Sequence, residues 1–357
     1  MEVLTMTNGV IEKIELENFT IFNSTKVNFS KNINVLCGMN GVGKTHLMKT
    51  LYSVCATNNE LNNTKKHEEY LAQKLIGVFR PDQLGRLVKR KPGRHRANIK
   101  IKLTNNSTLE FSFSTSSSKS VSTEHDENFK HINNAIFIPV KEIISATENF
   151  SALYEEYHIA FEETYYDLNK QLLRPLKKGP SNSTQKKLLK TLEDVIDGKI
   201  VQENGRFYFV KPKQGKLEMG LLAEGYRKIA TIFYLIANGT LEKDSILFWD
   251  EPESNMNPKM IPIITELFIE LAKMGVQLFI STHSYFLLKR LGMYAEYQND
   301  KSKLDIRFIS MYKNPDVKET DDILIESCSQ VSDLNYNPIE DEFLKLYNEQ
   351  QELFFRD

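Results

Sequence analysis

Gly38-Met39-Asn40-Gly41-Val42-Gly43-Lys44-Thr45 is the stretch that decides the fold. It fits the pattern G-x-x-x-x-G-K-[ST], whose glycines let several backbone N–H groups point toward one anion. An apolar run at 33–37 precedes it, and apolar residues at helical spacing follow it. This order predicts a strand, a phosphate-binding loop and a helix whose N-terminus faces the anion. The sequence therefore predicts a nucleotide site.

The residues of this loop divide between phosphate and metal. Lys44 is expected to reach the β- and γ-phosphates, and the Thr45 hydroxyl is expected to bind Mg²⁺. The loop residues that we assign to the nucleotide are Asn40, Gly41, Val42, Gly43, Lys44, Thr45 and His46.

Two acidic residues end a second apolar strand, in the run Ser245-Ile246-Leu247-Phe248-Trp249-Asp250-Glu251-Pro252. The carboxyl ends of strands are where ligands bind in open α/β sheets. We expect Asp250 to hold Mg²⁺, directly or through water. We expect Glu251 to polarise the attacking water, since a carboxylate beside a metal and a phosphate can act as general base without a large pKa change. The alternative is an acidic cluster at a helix N-terminus.

His283 lies just past the next apolar strand, in Phe279-Ile280-Ser281-Thr282-His283-Ser284. A lone histidine is more often structural or solvated. Here its strand follows the carboxylate strand, so we expect the imidazole to contact the γ-phosphate. The predicted catalytic residues are Glu251, His283 and Lys44.

The wider pattern predicts an α/β protein. Helices at 226–238, 259–273 and 284–292 alternate with strands at 245–249, 277–281 and 304–309, which indicates a mostly parallel sheet with helices on its faces. Short strands at 10–37 and a weakly alternating hairpin within 98–123 predict an antiparallel β subdomain. Further short strands are predicted at 135–140, 199–202 and 207–211. Segment 150–195 predicts a helical subdomain, 56–66 a loop, and 338–354 a further helix.

Composition excludes several classes of protein. The 357 residues are 41% hydrophobic and 26% charged with a net charge of −1, so the composition implies no attraction of the whole molecule to nucleic acid and leaves a local basic patch open. Three cysteines without a CxxC pair argue against a disulfide framework or a cysteine-ligated zinc site. The N-terminus lacks the apolar core of a signal peptide, and no apolar run could span a bilayer. We therefore expect a cytoplasmic protein without a membrane partner.

With the three motifs in this order, the sequence resembles the ABC-type ATPases of the SMC, RecF and OLD group. The resemblance covers about 10–55 and 220–310, including Ile14-Glu15-Leu16-Glu17-Asn18-Phe19 and Leu222-Ala223-Glu224-Gly225-Tyr226-Arg227-Lys228. It implies a P-loop NTPase of ABC type that uses ATP and Mg²⁺. It also implies that Ala223, Glu224 and Gly225 form the signature segment, which faces the nucleotide of a second copy in an ATP-sandwiched dimer or higher oligomer. Ala223 replaces the usual serine, which implies slow turnover.

Two features of the group remain open in this sequence. Asn257 replaces the usual acidic residue of the D-loop, which follows the second carboxylate motif. The Q-loop has two candidates, Gln83 and the pair Lys141-Glu142, and the sequence does not choose between them.

Within the group, the sequence is most similar to stand-alone ATPases of bacterial antiphage defence, such as those of the PARIS and Septu systems and the ATPase half of OLD nucleases. The resemblance implies a separately encoded nuclease or toxin effector. We divide a single ATPase domain, 1–357, into an N-terminal lobe (1–140), a helical insertion (141–219), a lobe with the signature, acidic and histidine motifs (220–310) and an acidic extension (311–357).

Two basic segments keep a nucleic-acid partner open. Segment 86–102 has eight basic residues and no acidic ones, and segment 174–190 has six and none. Either could bind DNA phosphates, a partner's acidic surface or only solvent. The alternatives are therefore a RecF-like DNA-binding repair ATPase, a transporter nucleotide-binding subunit and an ATP-bound scaffold without turnover. A long-armed SMC head is excluded, because Ala223 follows Lys44 by only 179 positions without heptads.

Overall fold

The computed structural model describes residues 9–57, 64–126, 129, 134–177, 183–298, 304–313 and 322–355. The strands in this part of the chain are β1 (Ile11–Phe19), β2 (Phe22–Asn28), β3 (Ile33–Gly38), β4 (Arg96–Leu103), β5 (Thr108–Ser114), β6 (Ser122–His125), β7 (Ala135–Ile138), β8 (Lys199–Glu203), β9 (Arg206–Lys211), β10 (Gly215–Glu218), β11 (Ile246–Asp250), β12 (Gln277–Ser281), β13 (Ile306–Lys313) and β14 (Ile323–Cys328). The helices are α1 (Lys44–Ala56), α2 (Thr64–Phe79), α3 (Phe150–Tyr157), α4 (Glu163–Leu172), α5 (Ser183–Ile196), α6 (Glu224–Ala237), α7 (Ile261–Lys273), α8 (Tyr285–Tyr297) and α9 (Pro338–Phe354).

The central sheet has the strand order β14-β13-β3-β12-β11-β7. The five strands from β13 to β7 are parallel, and β14 is antiparallel at the edge. Every residue of β3, β11 and β12 is buried, as expected for a sheet that is covered on both faces. Because these strands are neighbours and parallel, their carboxyl ends bring the three sequence motifs to one edge.

Two hydrophobic cores lie on opposite faces of this sheet. Leu247 and Trp249 of β11 pack with the helices from α3 to α8, whereas Phe248 packs with α1, α2 and a second sheet. That second sheet is antiparallel, with the order β2-β1-β4-β5-β6. A third antiparallel sheet, β10-β9-β8, packs near α6. Because successive side chains along a strand point to opposite faces of the sheet, each central strand contributes residues to both cores.

The structure confirms the predicted α/β fold with a mostly parallel sheet, an antiparallel β subdomain and helices. Four elements were absent from the prediction: α2, β6, β10 and β14. The predicted loop at 56–66 is shorter than expected, because α2 begins at Thr64, and its positions 58–63 lie outside the described residues. The apolar residues Leu71, Ala72, Leu75 and Val78 of α2 have helical spacing and are buried, so this helix was readable from sequence.

Three segment boundaries also differ from the sequence analysis. The segment 141–219 contains α3, α4 and α5, but also the sheet β8–β10, so it is not helical throughout. The Ser/Thr-rich stretch after β5 forms β6, which extends the antiparallel sheet. Of the acidic extension, the structure describes 311–313 and 322–355. Among all described residues, no helix has the length and apolar character needed to cross a bilayer.

Candidate nucleotide site

The loop between β3 and α1 requires glycine at two positions. Gly38 has φ +137°, and a Cβ there would overlap the carbonyl oxygen of Met311 on β13. Gly43 has φ +94°, and a Cβ there would lie 2.7 Å from the side chains of Ile21 and Phe22. Both positions combine a left-handed backbone with close packing, so the neighbouring strands impose the loop conformation that the motif needs.

Lys44 lies inside the curve of this loop. Its Nζ donates hydrogen bonds to the carbonyl oxygens of Gly38 at 3.0 Å and Met39 at 2.9 Å. Burial lowers the pKa of the ammonium, and the nearby carboxylates of Glu251 and Asp250 oppose that shift. The side chain is therefore held beside the backbone N–H groups of the loop, where its charge can meet a phosphate.

Thr45 and Asp250 meet at the carboxyl ends of β3 and β11. The Thr45 hydroxyl lies 2.9 Å from Oδ2 and 3.2 Å from Oδ1 of Asp250. Asp250 is buried, and it also accepts a hydrogen bond from the Ser281 hydroxyl of β12. Hydroxyl and carboxylate oxygens are ligands that Mg²⁺ prefers. These two side chains fit the metal role that the sequence analysis gives them.

Glu251 and His283 form the next layer of the site. The Glu251 Oε1 atom lies 3.3 Å from Nε2 of His283. Burial lowers the pKa of His283 to about 4, with the positive charge of Lys44 as a second cause. Burial raises the pKa of Glu251, and so do Asp250 and Glu253. At neutral pH the imidazole is uncharged, so it can donate a hydrogen bond to the carboxylate.

Glu251 also has an unusual backbone. Its φ is +46°, and its N–H donates to the Ser281 carbonyl oxygen at 3.2 Å and to the Ser281 hydroxyl at 3.1 Å. A left-handed conformation at a residue other than glycine costs free energy and is found most often at functional sites. These two hydrogen bonds to Ser281 of β12 fix the backbone of Glu251, and the backbone in turn places the carboxylate at the edge of the sheet.

Glu253 is a functional residue that sequence reasoning missed. Its Oε1 accepts hydrogen bonds from the Thr282 hydroxyl at 2.6 Å, the His283 N–H at 2.9 Å and the Ser284 N–H at 3.1 Å. One carboxylate oxygen therefore holds the loop that carries His283. The only sequence feature that marks Glu253 is that it is a further acidic residue after Asp250 and Glu251. This feature does not show which loop its carboxylate contacts.

Lys228 is the second residue that sequence reasoning missed. Only 1% of the residue is exposed, and its Nζ donates to the carbonyl oxygens of Ser254 at 2.7 Å, Glu251 at 3.3 Å and Pro252 at 3.4 Å. Burial lowers the pKa of this ammonium. Lys228 belongs to α6, so it joins the predicted signature helix to the loop that follows Asp250.

The predicted signature segment begins α6 as expected. Ala223 is the N-cap residue, its own side chain cannot cap the helix, and Gly225 lies in the first turn. Ile229, Ile232 and Ile236 are buried, so this face of α6 packs into the core. Glu224 accepts a hydrogen bond from Asn255 at 3.0 Å. Within the described part of the chain, no hydrogen bond joins residues 223–225 to the phosphate-binding loop.

The two Q-loop candidates lie in different places. Gln83 precedes a short turn at 84–87 and lines a cavity with basic residues of the segment 86–102. Glu142 follows β7, the strand that pairs with β11, and forms an ion pair of 2.9 Å with Arg227 of α6. Glu142 is therefore the candidate that is connected to both the carboxylate strand and the signature helix.

The basic segment 86–102 is partly neutralised within the chain. Lys100 and Lys102 lie 3.3 and 3.1 Å from Glu110 and Glu12, and Lys89 lies 3.8 Å from Asp322. The turn around Pro92 and Gly93 leaves the remaining arginines of the segment at the surface. Part of the second basic segment, 178–182, lies outside the described residues.

Comparison with known proteins agrees with these motifs. The family model described as "AAA domain, putative AbiEii toxin, Type IV TA system" matches residues 33–289, which is most of the chain. The protein belongs to this AAA domain family. The matched range contains the phosphate-binding loop, Asp250, Glu251 and His283. The family thus supports an ATPase with a P-loop.

Curated relatives of this AAA domain match a shorter segment. RecF of Cytophaga hutchinsonii is 43% identical over 54 residues, which cover 15% of this chain and 14% of that protein. RecF of Streptococcus suis strain 05ZYH33 is 32% identical over 68 residues, or 19% of each chain. Both proteins are named DNA replication and repair proteins. The chain thus aligns with less than a fifth of the length of these relatives.

Solved structures similar to this AAA domain are SMC heads. A head bound to the C-winged helix domain of ScpA has a TM-score of 0.57 at 14% identity, and the match covers 90% of this chain and 98% of that one. A head from Pyrococcus furiosus, with an extended coiled coil and bound to the C-terminal domain of ScpA, has a TM-score of 0.51 at 12% identity, covering 96% and 100%. These likenesses establish that the fold is that of SMC heads.

Proposed function

We propose that the protein binds and hydrolyses Mg-ATP. The observation that carries this proposal is the contact between the Thr45 hydroxyl and Asp250 at 2.9 Å, with Lys44, Glu251 and His283 beside it on one sheet edge. Lys44 and the N–H groups of residues 40–46 would bind the phosphates, and Thr45 and Asp250 would hold Mg²⁺. When bound, the metal neutralises phosphate charge.

Glu251 is the proposed general base, because its raised pKa reflects a carboxylate that would gain from accepting a proton. His283 is proposed to contact the γ-phosphate as a neutral hydrogen-bond donor. Glu253 and Lys228 act through other residues: the first holds the His283 loop, and the second holds the carbonyl groups of the loop after Asp250. Both are positioning residues.

We further propose that two or more copies engage through ATP. The start of α6 at residues 223–225 would then meet the γ-phosphate of another copy, and the missing serine at Ala223 would make turnover slow. Engagement would control a separately encoded nuclease or toxin in antiphage defence in the cytoplasm. The family description names a putative toxin of a type IV TA system and no second protein, so the separate effector rests on the resemblance of the sequence to the ATPases of antiphage defence. The lobe boundaries at 140, 219 and 310 belong to the same proposal.

Light scattering of the Glu251→Gln protein, with and without Mg-ATP, tests the engagement. We expect turnover to fall roughly 100-fold or more while ATP binding persists, because only the base is lost. The trapped ATP should shift the particle to a dimer or larger. Lys44→Ala is the matched control, since it should lose nucleotide binding and stay unshifted. A large particle that ignores ATP in all variants would instead indicate a constitutive scaffold.

A RecF-like repair ATPase is the second candidate. It is favoured by the identity with RecF and by the exposed basic turn near Pro92. It predicts salt-dependent binding to duplex DNA that weakens when Arg90 and Arg94 are changed to Gln. Lys187→Gln, in the second basic segment, is the control. DNA affinity that ignores Arg90 and Arg94 would remove this candidate's structural basis.

A further inference from the structure

Helix α9 presents an apolar face that the described residues cover only near its start, where Phe343 stacks on Tyr285. Residues 341–350 are all exposed, and no described residue of α9 is buried, although the helix has 17 residues. Phe343, Leu346, Tyr347, Leu353 and Phe354 recur at helical spacing along one side, with exposed fractions of 42%, 64%, 51%, 64% and 76%. We call these five residues the α9 stripe.

The size of the stripe indicates an interface. Three aromatic and two leucine side chains at these exposures offer roughly 500 Å² of apolar surface, which is the size of the largest patches on monomeric proteins, and such patches are often functional. A helix of this length that touches the body only near its start gains little from tertiary packing. A partner that covered the stripe would supply the missing packing.

Charge selects the occupant. The described part of α9 carries Glu340, Asp341, Glu342, Glu349 and Glu352 against one basic residue, Lys345. On a helical wheel Glu342 and Glu349 border one side of the stripe. Pairing with α9 of a second copy would place these acids near each other, whereas basic side chains of a different protein would complement them.

We propose that the α9 stripe docks a separate protein that presents an apolar helix or groove bordered by lysine and arginine side chains. This inference deepens the proposed function, since it gives the chemistry of the effector surface that the ATPase would hold. Such helix-in-groove contacts use apolar anchors three and four positions apart, as the stripe does.

The base of α9 is joined to the nucleotide site at two points. Phe343 stacks on Tyr285 with ring centroids 4.0 Å apart, and Tyr285 follows His283 by two residues. Just before α9, the Tyr336 hydroxyl lies 3.8 Å from the sulfur of Met39 in the phosphate-binding loop. A partner that binds the stripe would therefore affect the positions of both the histidine loop and the phosphate-binding loop. The affinity of the partner should then depend on whether ATP is bound.

The test uses two synthetic helical peptides with leucine at the same apolar positions, one with lysine and one with glutamate at the polar positions. Fluorescence anisotropy would measure binding to the full chain without nucleotide. We expect the lysine peptide to bind and the glutamate peptide not to bind. Leu346→Ser should weaken binding about tenfold, since it removes one apolar anchor.

Leu176→Ser is the matched control, because Leu176 is also exposed, at 55%, but lies outside α9. Equal binding of the two peptides, or equal losses in both variants, would overturn the proposal. The proposal would also be overturned if the unchanged chain formed a dimer without nucleotide and Leu346→Ser converted this dimer to a monomer. The stripe would then bind a second copy of the chain.

ATP dependence is measured separately. A fluorescent ATP analogue should bind the Leu346→Ser protein as it binds the unchanged chain, and ATP and the lysine peptide should change each other's affinity by the same factor. Peptide binding without ATP binding would overturn the proposed ATPase and leave the stripe intact. ATP binding without peptide binding would overturn the docking proposal and leave the proposed ATPase intact. If ATP and the peptide leave each other's affinity unchanged, the coupling between the two sites is rejected.

Discussion

The phosphate-binding loop and the signature segment both place glycine at the start of a helix, but the chain itself requires only the first set. A Cβ at Gly38 or Gly43 would strike neighbouring strands, and both residues have positive φ. A Cβ at Gly225 would meet only the Met256 side chain at 3.4 Å, which is ordinary contact. The glycines of the loop thus serve the fold of one copy, whereas nothing in the described part of the chain requires glycine at position 225, where we propose a contact with a second copy.

Gly38→Ala should have the largest effect, because it would break the first half of this comparison. The added methyl group meets backbone of β13 and the φ of +137° becomes strained, so the free energy of unfolding should fall by roughly 3 kcal/mol or more. Urea unfolding measures it. Gly41→Ala is the control: it has φ +78° but no atom within 4 Å, so it should cost only about 1 kcal/mol. Equal losses would show that packing against β13 does not matter.

Gly225→Ala tests the part of the comparison that concerns the signature segment. Because alanine favours helix, the free energy of unfolding should stay equal or rise by up to about 1 kcal/mol. ATP-dependent dimerisation should nevertheless weaken about tenfold, since the methyl group would stand between α6 and the other copy's phosphate. Light scattering of the Glu251→Gln background measures this. Gly220→Ala, with nothing within 4 Å of its added Cβ, should change neither quantity. A destabilised Gly225→Ala monomer would contradict the comparison.

The smallest expected effect is a pH dependence of the free energy of unfolding, and it arises in the nucleotide site rather than in the signature segment. His46 and His283 lie in the nucleotide site, and burial lowers the pKa of each to about 4. Their unfolded pKa is about 6.5, so the stability they contribute is complete above that pH and is lost as pH falls toward 4. We expect the free energy of unfolding to decrease by about 1 kcal/mol per histidine between pH 6.5 and 5.

His46→Phe should flatten part of this decrease, because phenylalanine keeps the ring contact with Phe79 and cannot take up a proton. The buried Nδ1 of His46 has no hydrogen-bond partner among the described residues, so the change removes no bond there. Thermal unfolding at several pH values, without nucleotide, gives the measurement. The control is the difference in stability between the two proteins at pH 8, which lies above the unfolded pKa and therefore contains no contribution from protonation of His46.

Sequence reasoning recovered the parts of the site that local patterns encode. A glycine loop before a helix, two acids after an apolar strand and a histidine after the next strand predicted that Lys44, Asp250 and His283 would meet, and the parallel sheet brings them together. It missed Glu253 and Lys228, because a motif does not show which of its side chains contacts the backbone of another motif, and their partners lie 23 to 31 positions away. It also missed β14, a strand at the sheet edge whose side chains are mostly only half buried.

Local sequence patterns were enough to predict the phosphate-binding loop, most of the strands and helices, and the residues that we propose for ATP and Mg²⁺. These follow from local spacing, since strand, turn and helix each have a short-range signature. The packing of the whole chain was needed to show that Glu253 holds the His283 loop, that Lys228 joins α6 to the loop after Asp250, and that the described residues leave most of the α9 stripe exposed. Those facts depend on which distant segments pack together, and burial of charge and apolar surface is a property of the whole fold.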